Sequence, residues 1–201
     1  MRVITGLFDS HEQAAEAVRK LRDLGVRSED ISLVANNAEG YVIEDEDDIA
    51  EGAEAGAGVG AIVGGASGLL AGLGTFAIPG IGPIVTGGWL LATAVGALTG
   101  AVIGGATGGL IGALTEAGIS EPEAHVYAEG VRRGGTIVTA RVENSKADTA
   151  DLILHNGGRV DLAARRRDYE AEGWERFNED AAAYTPDEVN AYRASYIPPM
   201  I

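Results

Sequence analysis

Two separated parts of the chain show the same order of hydrophobic patterns. Residues 2–8 read as a β-strand, and a second strand is predicted over residues 31–35. The intervening residues place apolar side chains at helical spacing, namely Ala14, Ala17, Val18, Leu21 and Leu24. Ser10 precedes this helix as an N-cap, and Gly25 ends it. The first part is therefore predicted to fold as strand, helix, glycine turn and strand.

The second part begins after residue 117 and repeats this order. Ser120 and Pro122 open a helix, because proline is well tolerated in a first helical turn. A strand over residues 136–142, a helix over residues 145–155 and a short strand over residues 157–162 follow. Each half is too small to bury a core by itself. The halves should therefore fold together as an α+β, ferredoxin-like split domain of four strands with its helices on one face.

Glycine recurs at every fourth position in two stretches between these halves. The stripe glycines are Gly56, Gly60, Gly64, Gly68 and Gly72 in the first stretch, and Gly96, Gly100, Gly104, Gly108 and Gly112 in the second. Residues four apart share one helix face, so each stripe lets another backbone approach closely. Glycine costs about 1 kcal/mol relative to alanine in a helix interior, so a partner must compensate. The stripes therefore predict self-association through a glycine zipper.

The two stripes are copies of one another, since residues 56–72 and 96–112 align with most positions kept. Pro79, Gly80, Gly82 and Pro83 lie between them and should stop a helix and reverse the chain. We expect an antiparallel helical hairpin, with its first helix over about residues 55–77. A flexible glycine linker is the alternative, but the large apolar residues of the first stripe disfavour it.

No charged side chain occurs in residues 55–115. A helix over residues 55–77 would rise roughly 35 Å and could cross a hydrocarbon core of about 30 Å. The flanks are acidic, however, and no Lys or Arg lies close to either end, so the positive-inside signal is missing. The sequence permits a membrane hairpin without requiring one. Residues 1–4 do not begin an apolar signal peptide, so we expect the soluble parts on the cytoplasmic side.

Candidate catalytic and metal-binding motifs are sparse. The chain contains no cysteine, which excludes disulfides and thiolate chemistry. His11, His125 and His155 lack metal-ligand spacing, and the acidic run at residues 44–48 lacks the alternation of a calcium loop. No Walker lysine occurs, and a formal charge of −15 disfavours nucleic acid. We therefore predict no catalytic residue, no cofactor, no metal and no nucleic-acid partner.

The last part of the chain is rich in aromatic residues, including Trp174, Phe177, Tyr184, Tyr192 and Tyr196. Aromatic residues at this density usually cover a surface. Thr185 and Glu188 have the spacing of a capping box, which predicts a helix start. We expect a helical clasp that docks on the domain or on a neighbouring subunit, with a disordered tail as the alternative.

Several of these segments resemble a known family. The strand and helix ending at Gly25, the acidic approach, the paired stripes around AIPGIGP at residues 77–83 and the segment 118–142 are similar to bacterial general stress proteins related to low-temperature-induced proteins. The resemblance covers about residues 1–160. It implies a stress-associated, often membrane-assigned protein without established catalytic residues.

The predicted organisation has five parts. Residues 1–38 form the first half of the α+β domain, 39–54 an acidic linker, 55–116 the glycine-zipper hairpin, 117–163 the second half and 164–201 the tail. Two functions remain open. In the first, a non-enzymatic stress protein self-assembles and is held in or on the cytoplasmic membrane by its hairpin. In the second, a soluble cytoplasmic homo-oligomer buries the hairpins between its subunits. An enzyme or small-molecule binder is the least favoured class.

Overall fold

A computed structural model of the protein describes residues 1–38, 74–90 and 109–196. The predicted acidic linker and every stripe glycine except Gly112 lie outside these residues.

The described residues form a mixed α+β fold around one antiparallel sheet. Its five strands are β1 (Arg2–Phe8), β2 (Ile31–Asn36), β3 (Gly74–Ile78), β4 (Gly82–Gly87) and β5 (Thr136–Val142). They are arranged in the order β1-β5-β2-β4-β3. The register pairs Ile4 with Ala140 on one side of β5 and Leu33 with Val138 on the other. A strand of the second half thus lies between both strands of the first, which confirms that the halves fold together.

Helices cover both faces of this sheet. The six described α-helices are α1 (His11–Asp23), α2 (Gly109–Glu116), α3 (Glu121–Arg132), α4 (Ala147–Asn156), α5 (Leu162–Ala171) and α6 (Pro186–Tyr196). α1 and α4 pack with Phe8 and Val138 on one face, whereas α2 and α3 pack with Leu7 and Ile137 on the other. Successive strand residues point to opposite faces, and both sets are apolar here. The prediction of helices on one face is therefore wrong.

The short strand predicted over residues 157–162 is also wrong. Asp161 instead caps α5 and accepts a 2.9 Å hydrogen bond from the amide of Ala164. The amide of Val160 donates one bond of 2.8 Å to the carbonyl of Leu7, and the chain then turns into the helix. The Asp161 side chain accepts a hydrogen bond from an amide of the first helical turn, which would otherwise have no partner, and this favours a helix over a strand here. The sheet extends on its other side instead, through β4 and β3.

Residues 74–87 form a β-hairpin where the sequence predicts a helix end and a helical turn. The chain does reverse between Ile78 and Gly82, and the amide of Ile81 donates to the carbonyl of Ile78 at 3.1 Å. Gly80 and Gly82 have φ values of +76° and +93°, a region that glycine adopts readily. The predicted helix is therefore wrong for residues 74–77. The apolar side chains of Ile78 and Ile84 are buried in the sheet core, which favours strand pairing here.

The end of the second stripe lies in α2. Gly112 is half-buried inside this helix. Gly109, at the start of α2, has a φ of +72°, which lies outside the right-handed helical region, so a regular helix does not run through this residue. None of the helices in the described ranges combines the length and apolar character needed to cross a bilayer.

Candidate functional site

The C-terminal tail docks on the domain of its own chain. Tyr169 of α5 and Val189 of α6 are fully buried, and Phe177 between these helices is 5% exposed. The other predicted clasp residues, Trp174, Tyr184, Tyr192 and Tyr196, are half-buried. Large apolar side chains removed from water in this way stabilise the docked position.

Helix α6 begins at the predicted capping box. The amide and hydroxyl groups of Thr185 each donate a 2.8 Å hydrogen bond to Glu188 Oε2, and the amide of Glu188 donates back to Thr185 Oγ1 at 3.3 Å. The bond from the Thr185 backbone, followed by that from its side chain, lowers the pKa of the Glu188 carboxyl. Reciprocal satisfaction of end groups fixes where the helix starts. α6 therefore meets the domain in a defined register.

The centre of the interface is the guanidinium group of Arg133, which follows α3. Its Nε donates to Glu129 Oε1 at 2.6 Å, and its Nη1 donates to Glu172 Oε2 at 2.6 Å. The same group lies 4.1 Å from the ring centroid of Tyr169 and 4.4 Å from that of Tyr192. The Tyr192 hydroxyl donates to the same Glu172 oxygen at 2.6 Å. One buried cation thus joins α3, α5 and α6 through charge-assisted bonds and cation–π contacts.

The pKa of Arg133 reflects two opposed influences. Burial lowers it, but the hydrogen bond and the charge of Glu129 raise it, and the net direction is upward. Arg133 therefore remains a cation inside the interface.

Two further arginines, one on each side of the interface, donate hydrogen bonds to backbone carbonyl groups of the other side. Nη2 of Arg132 donates to the carbonyl of Ala182 at 2.8 Å, and its guanidinium group lies 4.7 Å from the ring centroid of Tyr184. In the opposite direction, Arg193 Nε of α6 donates to the carbonyl of Gly134 at 2.9 Å. Because backbone groups accept these bonds, the tail is held at fixed points of the main chain.

A second ion pair anchors α5 to the start of the chain. Arg165 donates from both Nη atoms to the two carboxylate oxygens of Asp9, at 2.7 Å each. Its guanidinium group also lies 3.6 Å from the ring centroid of Tyr196. A bidentate, largely buried pair of this kind is directional as well as attractive.

Two of the predicted turn residues, Gly80 and Gly82, pack closely against the C-terminal tail. A Cβ atom added to Gly80 would lie 2.6 Å from the carbonyl oxygen of Asn178, and one added to Gly82 would lie 2.9 Å from the Cβ of Ala183. The loop between β3 and β4 and the segment before α6 therefore approach each other too closely for any side chain. The structure thus places the predicted turn glycines against residues 178–183 of the predicted tail, next to the predicted clasp residues Phe177 and Tyr184 in sequence.

A cavity of about 670 Å³ lies beside this interface, between α3 and residues 173–181. Ile111 and Phe177 contribute buried apolar walls. Three of the lining residues each have one buried nitrogen that makes no hydrogen bond within the described residues and is not accessible from the cavity: His125 Nδ1, Arg132 Nε and Trp174 Nε1. Exposed charged residues also line the cavity, namely Glu121, Glu175, Arg176, Glu179 and Asp180. The cavity is thus lined by two buried apolar side chains and by exposed, mainly acidic residues.

The polar residues in and directly after α3 that form the site were not predicted as site residues from the sequence. His125, Glu129, Arg132 and Arg133 lie at spacings that bring them to one side of the helix. That spacing was a detectable signal, but a polar helix face usually contacts water. Among the described residues no group of three or more His, Asp or Glu is placed to hold a metal ion.

No protein-family model matches the chain, and neither a curated protein nor a solved structure shows significant similarity to it.

Proposed function

We propose that this is a non-enzymatic protein that assembles with copies of itself through the glycine-striped segments. The observation that carries the proposal is the long uncharged stretch, residues 55–115, with glycine at every fourth position in two registers. Such a surface is stable only when it is covered, and a second stripe covers it closely. The resemblance described above adds a stress-associated role to this proposal.

The attachment points of the stripes support pairing. Gly74 at the start of β3 is paired with Thr86 near the end of β4. The chain therefore enters and leaves this hairpin at the same end of the sheet. The first stripe precedes that entry and the second follows that exit. Because the two stripes are attached at neighbouring points of the sheet, little chain entropy is lost when they meet, and this favours their packing against each other.

The same attachment points favour burial of the stripes against sister copies and disfavour a hairpin that crosses the membrane. Leu90 and Leu110 belong to one core cluster, and residues 91–108 are the whole connection between Leu90 and Gly109. Crossing a hydrocarbon core and returning takes about 40 residues in helical form. The connection over residues 39–73 is also shorter than that. We therefore place the homo-oligomeric assembly first.

Attachment to the surface of the cytoplasmic membrane is the second candidate. It is favoured by the absence of any charged side chain over residues 55–115, which lowers the cost of contact with lipid. In this version the α+β domain stays in water and the uncharged segments contact the bilayer.

The molar mass of the purified full-length protein, measured by light scattering with and without non-ionic detergent, tests both versions. A discrete oligomer that forms without detergent supports assembly through sister copies. Recovery only with detergent supports the membrane version. A stable, detergent-free monomer would contradict the proposal.

Substitutions in the stripes test whether the assembly depends on the glycines. Gly64→Leu and Gly104→Leu should each reduce the oligomer to smaller species, because a leucine separates the two backbones. Thr149→Leu is the matched control, since it adds a leucine at an exposed position of α4. Unchanged molar mass in both glycine variants would eliminate the zipper.

A further inference from the structure

We infer that residues 177–184 of the tail, here called the strap, control self-assembly. When docked, the strap holds in one arrangement the elements that continue into the glycine stripes, and its release weakens association between copies. The inference rests on the assembly proposed above and adds its regulation.

The strap lies directly on the loop between β3 and β4. Gly80 is buried in this loop, and a Cβ atom added there would lie 2.6 Å from the carbonyl oxygen of Asn178 and 2.9 Å from Cα of Glu179. A Cβ atom added to Gly82 would lie 2.9 Å from Cβ of Ala183. Packing this close leaves neither segment free to shift alone, so the position of the loop depends on the position of the strap.

The strap also connects this loop to α2 and α3. Phe177 belongs to the same core cluster as Ile81 of the loop and Ile111 of α2, and all three are nearly inaccessible to water. From α3, Arg132 Nη2 donates a 2.8 Å hydrogen bond to the carbonyl of Ala182. The docked strap is therefore held from two sides, by the sheet edge and by α3.

The elements that contact the strap are the ones that continue into the stripes. The first stripe ends at Gly72, two residues before β3 begins at Gly74. The last glycine of the second stripe, Gly112, lies inside α2 beside Ile111. Within the described ranges β3 is an outer strand that pairs with β4 alone. Its position therefore depends strongly on the hairpin and on what packs against the hairpin.

Docking of the strap favours assembly by preorganisation. With the strap docked, both stripes start from fixed points of the domain. With the strap released, Ile81 and Ile111 lose the apolar cover of Phe177, and association must also order the hairpin and α2. Thermodynamic linkage then requires the reverse effect, so that assembly stabilises the docked strap by the same factor.

Light scattering over a range of protein concentrations, without detergent, tests the inference on the full-length protein. Gly80→Ala places a methyl group against the strap. We expect the concentration at which half of the protein is assembled to rise about fivefold or more. Gly118→Ala is the matched control, because Gly118 also has a positive φ, +92°, but no atom lies within 4 Å of an added Cβ.

A second variant releases the strap from its other side. Arg132→Ala removes the hydrogen bond to Ala182 and leaves the hairpin sequence unchanged, so we expect the same direction of shift. Arg176→Ala is its control, since it removes an exposed arginine of the tail and should leave assembly unchanged. Hydrogen exchange over residues 177–184 should be faster in Gly80→Ala and Arg132→Ala, and slower in the assembled than in the dissociated unaltered protein.

The outcomes separate this inference from the proposed assembly. Faster exchange of the strap without a change in assembly, in both Gly80→Ala and Arg132→Ala, would overturn the inference alone. Unchanged exchange in both variants would do so too, because these contacts would then not hold the strap. An equal shift in Gly118→Ala would assign the effect to backbone strain and would also overturn it. Only an unaltered protein that does not associate at all would contradict the proposed assembly as well.

Discussion

Arg133 donates a 2.6 Å hydrogen bond to Glu129 one helical turn earlier, and the two side chains are 6% and 1% exposed. Glu129 also lies 3.5 Å from Arg132, so one carboxylate faces two guanidinium groups. The tail covers this cluster with the rings of Tyr169 and Tyr192. A buried ion pair contributes little net stability by itself, but removing one partner leaves a charge without compensation.

We therefore expect Glu129→Ala to lower the free energy of unfolding by about 3 kcal/mol, because Arg133 would stay buried without its main counter-ion. Urea denaturation followed by circular dichroism measures this change. Glu16→Ala is the control, since Glu16 also pairs with an arginine, Arg19, but both are well exposed. Equal losses in the two variants would mean that burial of the Glu129 pair has no special effect.

The elements predicted correctly are those with local signals. β1, α1, β2, α3, β5 and α4 each combine a clear apolar period with a cap or a turn, as in the hydrogen bond that the Gln13 amide donates to the Ser10 side chain. The β3–β4 hairpin was missed because its stability depends on distant pairing. Asn36 is opposite Ile84, far away in sequence, while the glycine spacing on either side favoured a helix.

The candidate site was only partly predictable for a related reason. The aromatic residues of the tail and the capping box at Thr185 identify a segment that docks, but not the surface that receives it. That surface is the polar side of α3, whose Glu129 and Arg133 would be equally compatible with contact to water. Only the three-dimensional placement of α5 and α6 shows that these charges are covered.

Gly134 should be required for the position of α6. Its φ is +101°, and an added Cβ would lie 2.7 Å from Val189 Cγ1 and 3.0 Å from Arg193 Nε. Gly134→Ala should therefore displace α6 and increase hydrogen exchange over residues 186–196. Gly173→Ala is the matched control, because Gly173 has a φ of +88° but no atom within 4 Å of the added methyl group. Similar exchange in both variants would show that strain at φ, not the contact with α6, is responsible.

Truncation after Ala164 tests the contribution of the whole tail. It removes the buried side chains of Tyr169, Phe177 and Val189, together with the Arg165 partner of Asp9. Each buried side chain of this size contributes about 2 kcal/mol, so the melting temperature should fall by roughly 10 °C or more. Differential scanning calorimetry measures the shift. Superimposable melting curves would refute a stabilising clasp.

Alkaline pH should unfold the protein through its buried tyrosines. Burial raises the pKa of Tyr169 to about 12 from an ordinary value of 10, although the nearby charge of Arg165 opposes the shift, and burial likewise raises the pKa of Tyr127 to about 12. Above pH 10 the unfolded chain loses these protons while the folded chain keeps them. The stability that these two tyrosines contribute should therefore be constant below pH 10 and fall by about 2 kcal/mol per tyrosine as the pH approaches 12.

The variant Tyr169→Phe isolates this effect, because it removes the titrating hydroxyl and keeps the buried ring. We expect unchanged or slightly higher stability at pH 7 and a shallower loss above pH 10, measured by urea denaturation across this range. Tyr127→Phe should also flatten the alkaline loss, but it removes the bond from the Tyr127 hydroxyl to the carbonyl of Thr5 and so should lower stability at pH 7. If the free energy of unfolding falls above pH 10 as steeply in both variants as in the unaltered protein, other groups control unfolding at high pH.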